Sequence, residues 1–230
     1  MSQPVSKFIQ ERIDAGDFPS AVFLVGHGEE VLLSGALGNA VAVPQRIPAT
    51  VDTIYDLASL TKPLVTGLLT ALFVERRTIS LEDRVSVHLG EFDVDGKRMI
   101  TIRDLATHTS HLPAWTPLYL TTREPGEVIA AIGAMDIDYG PNAVTYGDPN
   151  YIVLGAILER LSGLRLDELA EEEIFIPLGL GDTCFNPAAE KRNRIAASEM
   201  GNQFEKLTCR EQGYEVLSHP NAFRDDLIWG

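Results

Sequence analysis

Two cysteines, no basic run and no long apolar stretch are the first things to notice in this 230-residue chain, and each shortage narrows what it can be. Cys184 and Cys209 stand apart with no metal-ligand spacing, so the pair reads as two reduced thiols rather than a disulfide framework. No stretch reaches the roughly 18–20 apolar residues of a membrane span. The opening MSQPVSKFIQERIDAGDFPS lacks an apolar export core and a small-residue cleavage site, so the expected location is cytoplasmic, or periplasmic where a leader has been removed. Lys and Arg number 19 against 33 Asp and Glu, a net charge of −14 with no concentrated basic face, which excludes nucleic acid as an expected partner. No phosphate-cradling G-x-x-x-x-G-K loop occurs. His108 and His111 have i,i+3 spacing but no third ligand of metal type, so neither a metal nor a cofactor is expected.

Periodicity supplies the elements. The first residues read as an amphipathic helix with Val5, Phe8, Ile9 and Ile13 on one face. SAVFLVGHGEEVLLSGALG (20–38) reads as a β-hairpin turning on Gly26 and Gly28, and the Pro-rich stretch after it reads as a loop. A buried helix is expected over about 60–76, with Pro63 tolerated in its first turn. Further helices are expected at 124–135, at 150–163 with Gly163 as C-cap, and at 166–175, and Thr101 with Asp104 forms a capping-box-like pair before a short one. The segment from about 186 onward carries few signals. One hairpin is too little sheet to stand alone, so the chain is expected to be the first part of a larger α/β design.

The chemistry concentrates in YDLASLTKPLVTG (55–67). Ser59 and Lys62 are three apart at the start of an apolar helix, which puts both on one face. A serine hydroxyl is a weak nucleophile until a base takes its proton, and a desolvated lysine can serve. Free N–H groups at a helix start favour the negative charge that develops on an attacked carbonyl. S-x-x-K alone is a common pattern, but VTYGDPNYIVLG (144–155) adds Tyr146 on a turn-rich stretch just before a helix. A phenol beside a lysine amine can carry protons to a leaving group, although a Tyr in that position is more often packing.

With these two motifs, TIRDLATHTSHLP (101–113) and FIPLGLGDTCF (175–185), the chain resembles the serine β-lactamase, penicillin-binding protein and family VIII esterase superfamily, near its class C-like branch. The four motifs follow the family's order from about residue 8 to at least 200. The resemblance implies an acyl-enzyme mechanism in which Ser59 is acylated, Lys62 is general base or proton relay, and Tyr146 is the second proton-transfer group. It also implies a mixed α/β (α+β), β-lactamase-like fold. In that fold, 1–62 is the start of a sheet domain built from the N-terminal helix and hairpin, 63–185 is an all-helical domain, and 186–230 is irregular and leads towards C-terminal strands the chain lacks. Ser59 and Lys62 are then expected at the seam.

Two departures from the family pattern stand out. Asp148 occupies the place of an Asn that contacts the lysine and the substrate. A carboxylate there favours the lysine's ammonium form and is expected to shift the base role towards Tyr146. The later K-T-G or H-x-G motif is absent after Tyr146; HLG at 88–90 matches only in letters. The chain therefore reads as the N-terminal portion of a longer protein. His111 replaces a usual Gly. Trp115 and Tyr119 either wall an acyl pocket or simply pack. The expected substrate is a small ester, amide or β-lactam. An esterase is favoured slightly over a β-lactamase or a D-alanyl-D-alanine carboxypeptidase, and a catalytically incomplete fragment or binding module is the rival class.

Overall fold

The computed structural model describes residues 3–122, 124–137, 139–140, 143–198 and 203–214. These residues fall into two compact units, one holding those up to 57 and from 186 to 198, the other holding 58–185 and 203–214.

The first unit begins with α1 (Gln3–Asp14), which lies against β2. Ile9 and Ile13 are half-buried as the periodicity implies, but Phe8 is 62% exposed, so only part of the apolar face is covered. β1 (Ser20–His27) and β2 (Glu30–Val41) form the hairpin, turning at Gly28 with φ +60°. Gly38 has φ +79°, and a Cβ there would lie 2.2 Å from the Pro19 carbonyl, so the close approach of the two chains requires glycine. β2 runs further than the loop reading implied and picks up β3 (Ile47–Pro48). Two residues are too short for a strand signal, and Pro48 is tolerated because β3 is an edge. The chain returns late in the sequence: Ile54 N–H donates to the Arg194 carbonyl at 2.8 Å and Ala197 N–H to that of Ala40 at 2.8 Å. Leu24, Val31 and Leu32 of the hairpin remain exposed.

The second unit is helical. In chain order it holds α2 (Leu68–Glu75), α3 (Val85–His88), α4 (Ile102–Ala106), α5 (Leu118–Thr121), α6 (Pro125–Ala134), α7 (Asp148–Ser162), α8 (Leu166–Ala170) and α9 (Gln203–Glu211). α7 is the core element: Val153, Leu154, Ile157 and Leu158 are essentially inaccessible and share one cluster with Leu69, Leu105 and Ile132. Burying each such side chain contributes about 1.5–3 kcal/mol. Gly163, at φ +74°, terminates α7 as the left-handed cap. The Thr101–Asp104 capping box is formed, with Asp104 N–H on Thr101 Oγ1 at 3.2 Å and Thr101 N–H on Asp104 Oδ2 at 2.9 Å. Lys97 is buried and its ammonium donates to the carbonyls of Gly133, at 2.8 Å, and Met135, capping the C-terminus of α6.

Three elements differ from the periodic reading. The helix expected over 60–76 is a 3-10 turn (Ala58–Leu60), a π-helical turn (Lys62–Gly67) and then α2. The helix expected over 166–175 is α8 followed by a π-helical turn (Glu171–Phe175). α9 lies in the segment read as poor in structure; residues 215–230 of that segment are outside the described ones.

Candidate active site

Ser59 sits in the 3-10 turn and its residue is exposed. Ala58 before it has φ +44°, a left-handed conformation that costs a residue with a Cβ about 1–2 kcal/mol. Such strain is characteristic of working sites, where the surroundings hold an unfavourable backbone in place. Lys62 opens the π-helical turn, which closes on Gly67: a Cβ there would approach the Lys62 carbonyl to 3.0 Å. The widened turn is another feature that recurs at functional sites.

The Lys62 side chain is 13% exposed, and its Nζ hydrogen-bonds both to Asp148 and to Ser59. It donates to Asp148 Oδ1 at 2.6 Å and to Ser59 Oγ at 3.1 Å. The ring of Tyr146 lies with its centroid 5.3 Å from the same nitrogen, within cation–π range. Burial is the largest single influence on the amine and acts to lower its pKa. The hydrogen bond and charge of Asp148, with smaller contributions from Tyr146, together outweigh it and hold the pKa above the ordinary lysine value. At neutral pH Lys62 is therefore an ammonium, not the free amine that S-x-x-K alone suggests.

Tyr146 is carried on the loop entering α7 and is 56% exposed. Its neighbours are laced to residues 108–114: Thr145 N–H donates to the His108 carbonyl at 2.9 Å, Gly147 N–H to His108 Nδ1 at 3.2 Å, and Asp148 N–H to the Ala114 carbonyl at 3.1 Å. Gly147 is required by the crossing, because a Cβ there would meet the carbonyl oxygens of Ala114 at 2.7 Å and Pro113 at 2.8 Å. The His108 imidazole is 4.7 Å from the Tyr146 ring and 5.1 Å from that of Tyr151. Burial, then the charge of Lys62, push the His108 pKa below the ordinary histidine value, with Asp148 opposing.

Of the residues expected at the site, Ser59, Lys62, Tyr146 and Asp148 are brought together in the second unit. Trp115 and Tyr119 are half-buried and pack around Leu120 and Cys209. Among the described residues Cys184, which is exposed, and Cys209, which is buried, form no disulfide. His88 of the HLG triplet ends α3, its Nε2 3.7 Å from Asp83 Oδ2. His111 has φ +61°, which explains why glycine is favoured at this position; its ring lies 5.2 Å from that of Tyr139. Sequence reasoning missed Asn150, which is fully buried and accepts the Ser110 hydroxyl at 2.5 Å, tying the T-H-T-S loop to α7. Its Nδ2 has no hydrogen-bond partner among the described residues. Among those residues no metal-binding cluster forms, and no helix is long and apolar enough to cross a membrane.

A hydroxyl, an ammonium, a phenol and a carboxylate on one face form a set suited to acyl transfer. A family model described as Beta-lactamase matches residues 5–217. The chain belongs to this family. The Beta-lactamase-family chain is 30% identical, over 98% of its length and 55% of the relative's, to an Escherichia coli (strain K12) protein named "Putative D-alanyl-D-alanine carboxypeptidase". Its fold matches a class C beta lactamase with a TM-score of 0.75 at 20% identity, covering 85% of this chain and 54% of the other. It also matches the octameric penicillin-binding protein homologue from Pyrococcus abyssi, with a TM-score of 0.70 at 26% identity, covering 86% of this chain and 47% of that one. The mixed α/β, β-lactamase-like fold implied by the sequence motifs is therefore the fold of this family member, which spans about half the length of the curated relatives it matches.

Proposed function

We propose that this chain carries the acylating machinery of a serine hydrolase. Ser59 Oγ attacks an ester or amide carbonyl, forming the O–C bond of an acyl-enzyme as the bond to the leaving group breaks. Tyr146 acts as a relay: its phenolic oxygen takes the serine proton as its own O–H proton passes to the leaving oxygen or nitrogen, and water then enters by the reverse route and frees the acid and Ser59. Lys62, held as an ammonium by Asp148, steadies the developing charge on Oγ and on the phenolic oxygen. The observation that carries this reading is the pair of hydrogen bonds from one ammonium to Ser59 and Asp148, with Tyr146 over the same nitrogen.

The name of the curated relatives favours an acyl-D-alanyl peptide as substrate class, with β-lactams as mimics, over the simple ester favoured by the sequence reading. Hydrolysis of three probes by the chain tests this: diacetyl-lysyl-D-alanyl-D-alanine, a chromogenic cephalosporin and a p-nitrophenyl ester. Turnover of the peptide that vanishes in Ser59→Ala is the expected result. Turnover of the ester alone would return the substrate to the esterase class, and activity that persists in Ser59→Ala would remove Ser59 from the chemistry.

A further inference from the structure

Resting on the hydrolase reading above, one residue outside the proposed proton-transfer set has a geometry that the reading leaves unused. We propose that His108 is the positioning residue for Tyr146. Through Nδ1 it accepts the Gly147 N–H, and through its carbonyl it accepts the Thr145 N–H, so the residues on both sides of the tyrosine are tied to a single residue. The imidazole also lies against the Tyr146 ring on one side and the Tyr151 ring on the other, and Tyr151 is itself anchored by its hydroxyl to the Ala106 carbonyl at 3.2 Å. His108 adopts φ +57°, a conformation that turns its backbone and side chain towards one loop at a cost that histidine tolerates better than most residues.

The arrangement works with only one form of the ring. An Nδ1 that accepts a hydrogen bond carries no proton, so His108 is the neutral Nε2–H tautomer. Protonation places an N–H on Nδ1 directly facing the Gly147 N–H, donor against donor, and releases one of the two ties on Tyr146. The charged groups facing the ring are the Lys62 ammonium, which resists protonation, and the Asp148 carboxylate at the start of α7, which favours it; Tyr146 and Tyr151 are the other titratable neighbours. Burial together with Lys62 outweighs Asp148, so the neutral form is favoured near neutrality. The acid limb of Ser59 acylation is thus set by His108, through the placement of Tyr146, without His108 touching the reacting atoms.

The test uses the whole 15N-labelled chain. Long-range imidazole spectra are expected to show the Nε2–H tautomer, with the Gly147 amide signal titrating at the same midpoint as the His108 ring. His108→Asn keeps an acceptor near the Nδ1 position and suits a left-handed backbone, but does not titrate. It is expected to restore acylation by a fluorophosphonate at pH 8 while removing the acid limb, whereas His108→Ala slows acylation by ~10- to 100-fold through misplacement of Tyr146. An Nδ1–H tautomer, a Gly147 amide indifferent to the ring's titration, or an unmoved acid limb in His108→Asn overturns the proposal. A chain whose Ser59 is not labelled at all contradicts the hydrolase reading instead, and the Gly147 titration still decides the role of His108.

Discussion

Lys62 Nζ lies nearer to Asp148 Oδ1, at 2.6 Å, than to Ser59 Oγ, at 3.1 Å. The lysine is an ion-pair partner first and a neighbour of the proposed nucleophile second. That order decides how the site handles protons, because an ammonium already committed to a carboxylate has no lone pair with which to take the serine proton.

Replacing Asp148 by Asn keeps an oxygen that can accept from Nζ but removes the negative charge that raises the Lys62 pKa, so that burial, which lowers it, counts for more. The alkaline limb of the pH–rate profile for Ser59 acylation is expected to move to lower pH in Asp148→Asn. A profile that does not change shows that the pair does not govern proton transfer.

The same pair links stability to pH. A lysine whose folded pKa lies above its ordinary value of 10.5 contributes stability that is present below that value and lost as pH rises through the folded value. Urea denaturation of the wild type between pH 8 and the alkaline range is expected to show this loss, and Asp148→Asn to show less of it.

Gly147→Ala drives a Cβ into two backbone carbonyls that cannot swing away as a side chain can. The expected cost is roughly 1–3 kcal/mol in unfolding free energy, accompanied by slower acylation because Tyr146 moves with the loop. Thermal melting and acylation kinetics on the same variant check both effects.

His111 occupies a left-handed position that a Cβ makes unfavourable. His111→Ala and His111→Gly both lose the ring contact with Tyr139, so their difference isolates the backbone: the glycine variant is expected to be more stable by about 1 kcal/mol. Equal stabilities would mean that the loop relaxes.

Lys97→Met keeps the length of the buried stem and strips two carbonyls at the end of α6 of their donor. Leaving buried acceptors unpaired costs roughly 1–3 kcal/mol, to be read from chemical denaturation.

How much of this was legible beforehand depends on range. Ser59 and Lys62 are close because three residues make about one helical turn, and Asp148 and Tyr146 followed from a motif that recurs with them. The π-helical turn at Lys62–Gly67 was invisible because one turn of apolar spacing does not distinguish an i+4 from an i+5 ladder. Asn150 and His108 make hydrogen bonds to partners about 40 residues away, Ser110 and Gly147; the T-H-T-S motif marks the loop that carries His108, but nothing local to either residue announces its partner. β3 is a two-residue pairing without a pattern of its own, and α9 is mostly polar, with the buried Cys209 as its anchor.

Intact-protein mass spectrometry after exposure to a fluorophosphonate, with wild type and Ser59→Ala side by side, tests the role of Ser59 most directly. One adduct per wild-type chain and none on Ser59→Ala is the predicted result. An adduct of equal yield on both proteins, or none on the wild type, would contradict an activated nucleophile at Ser59.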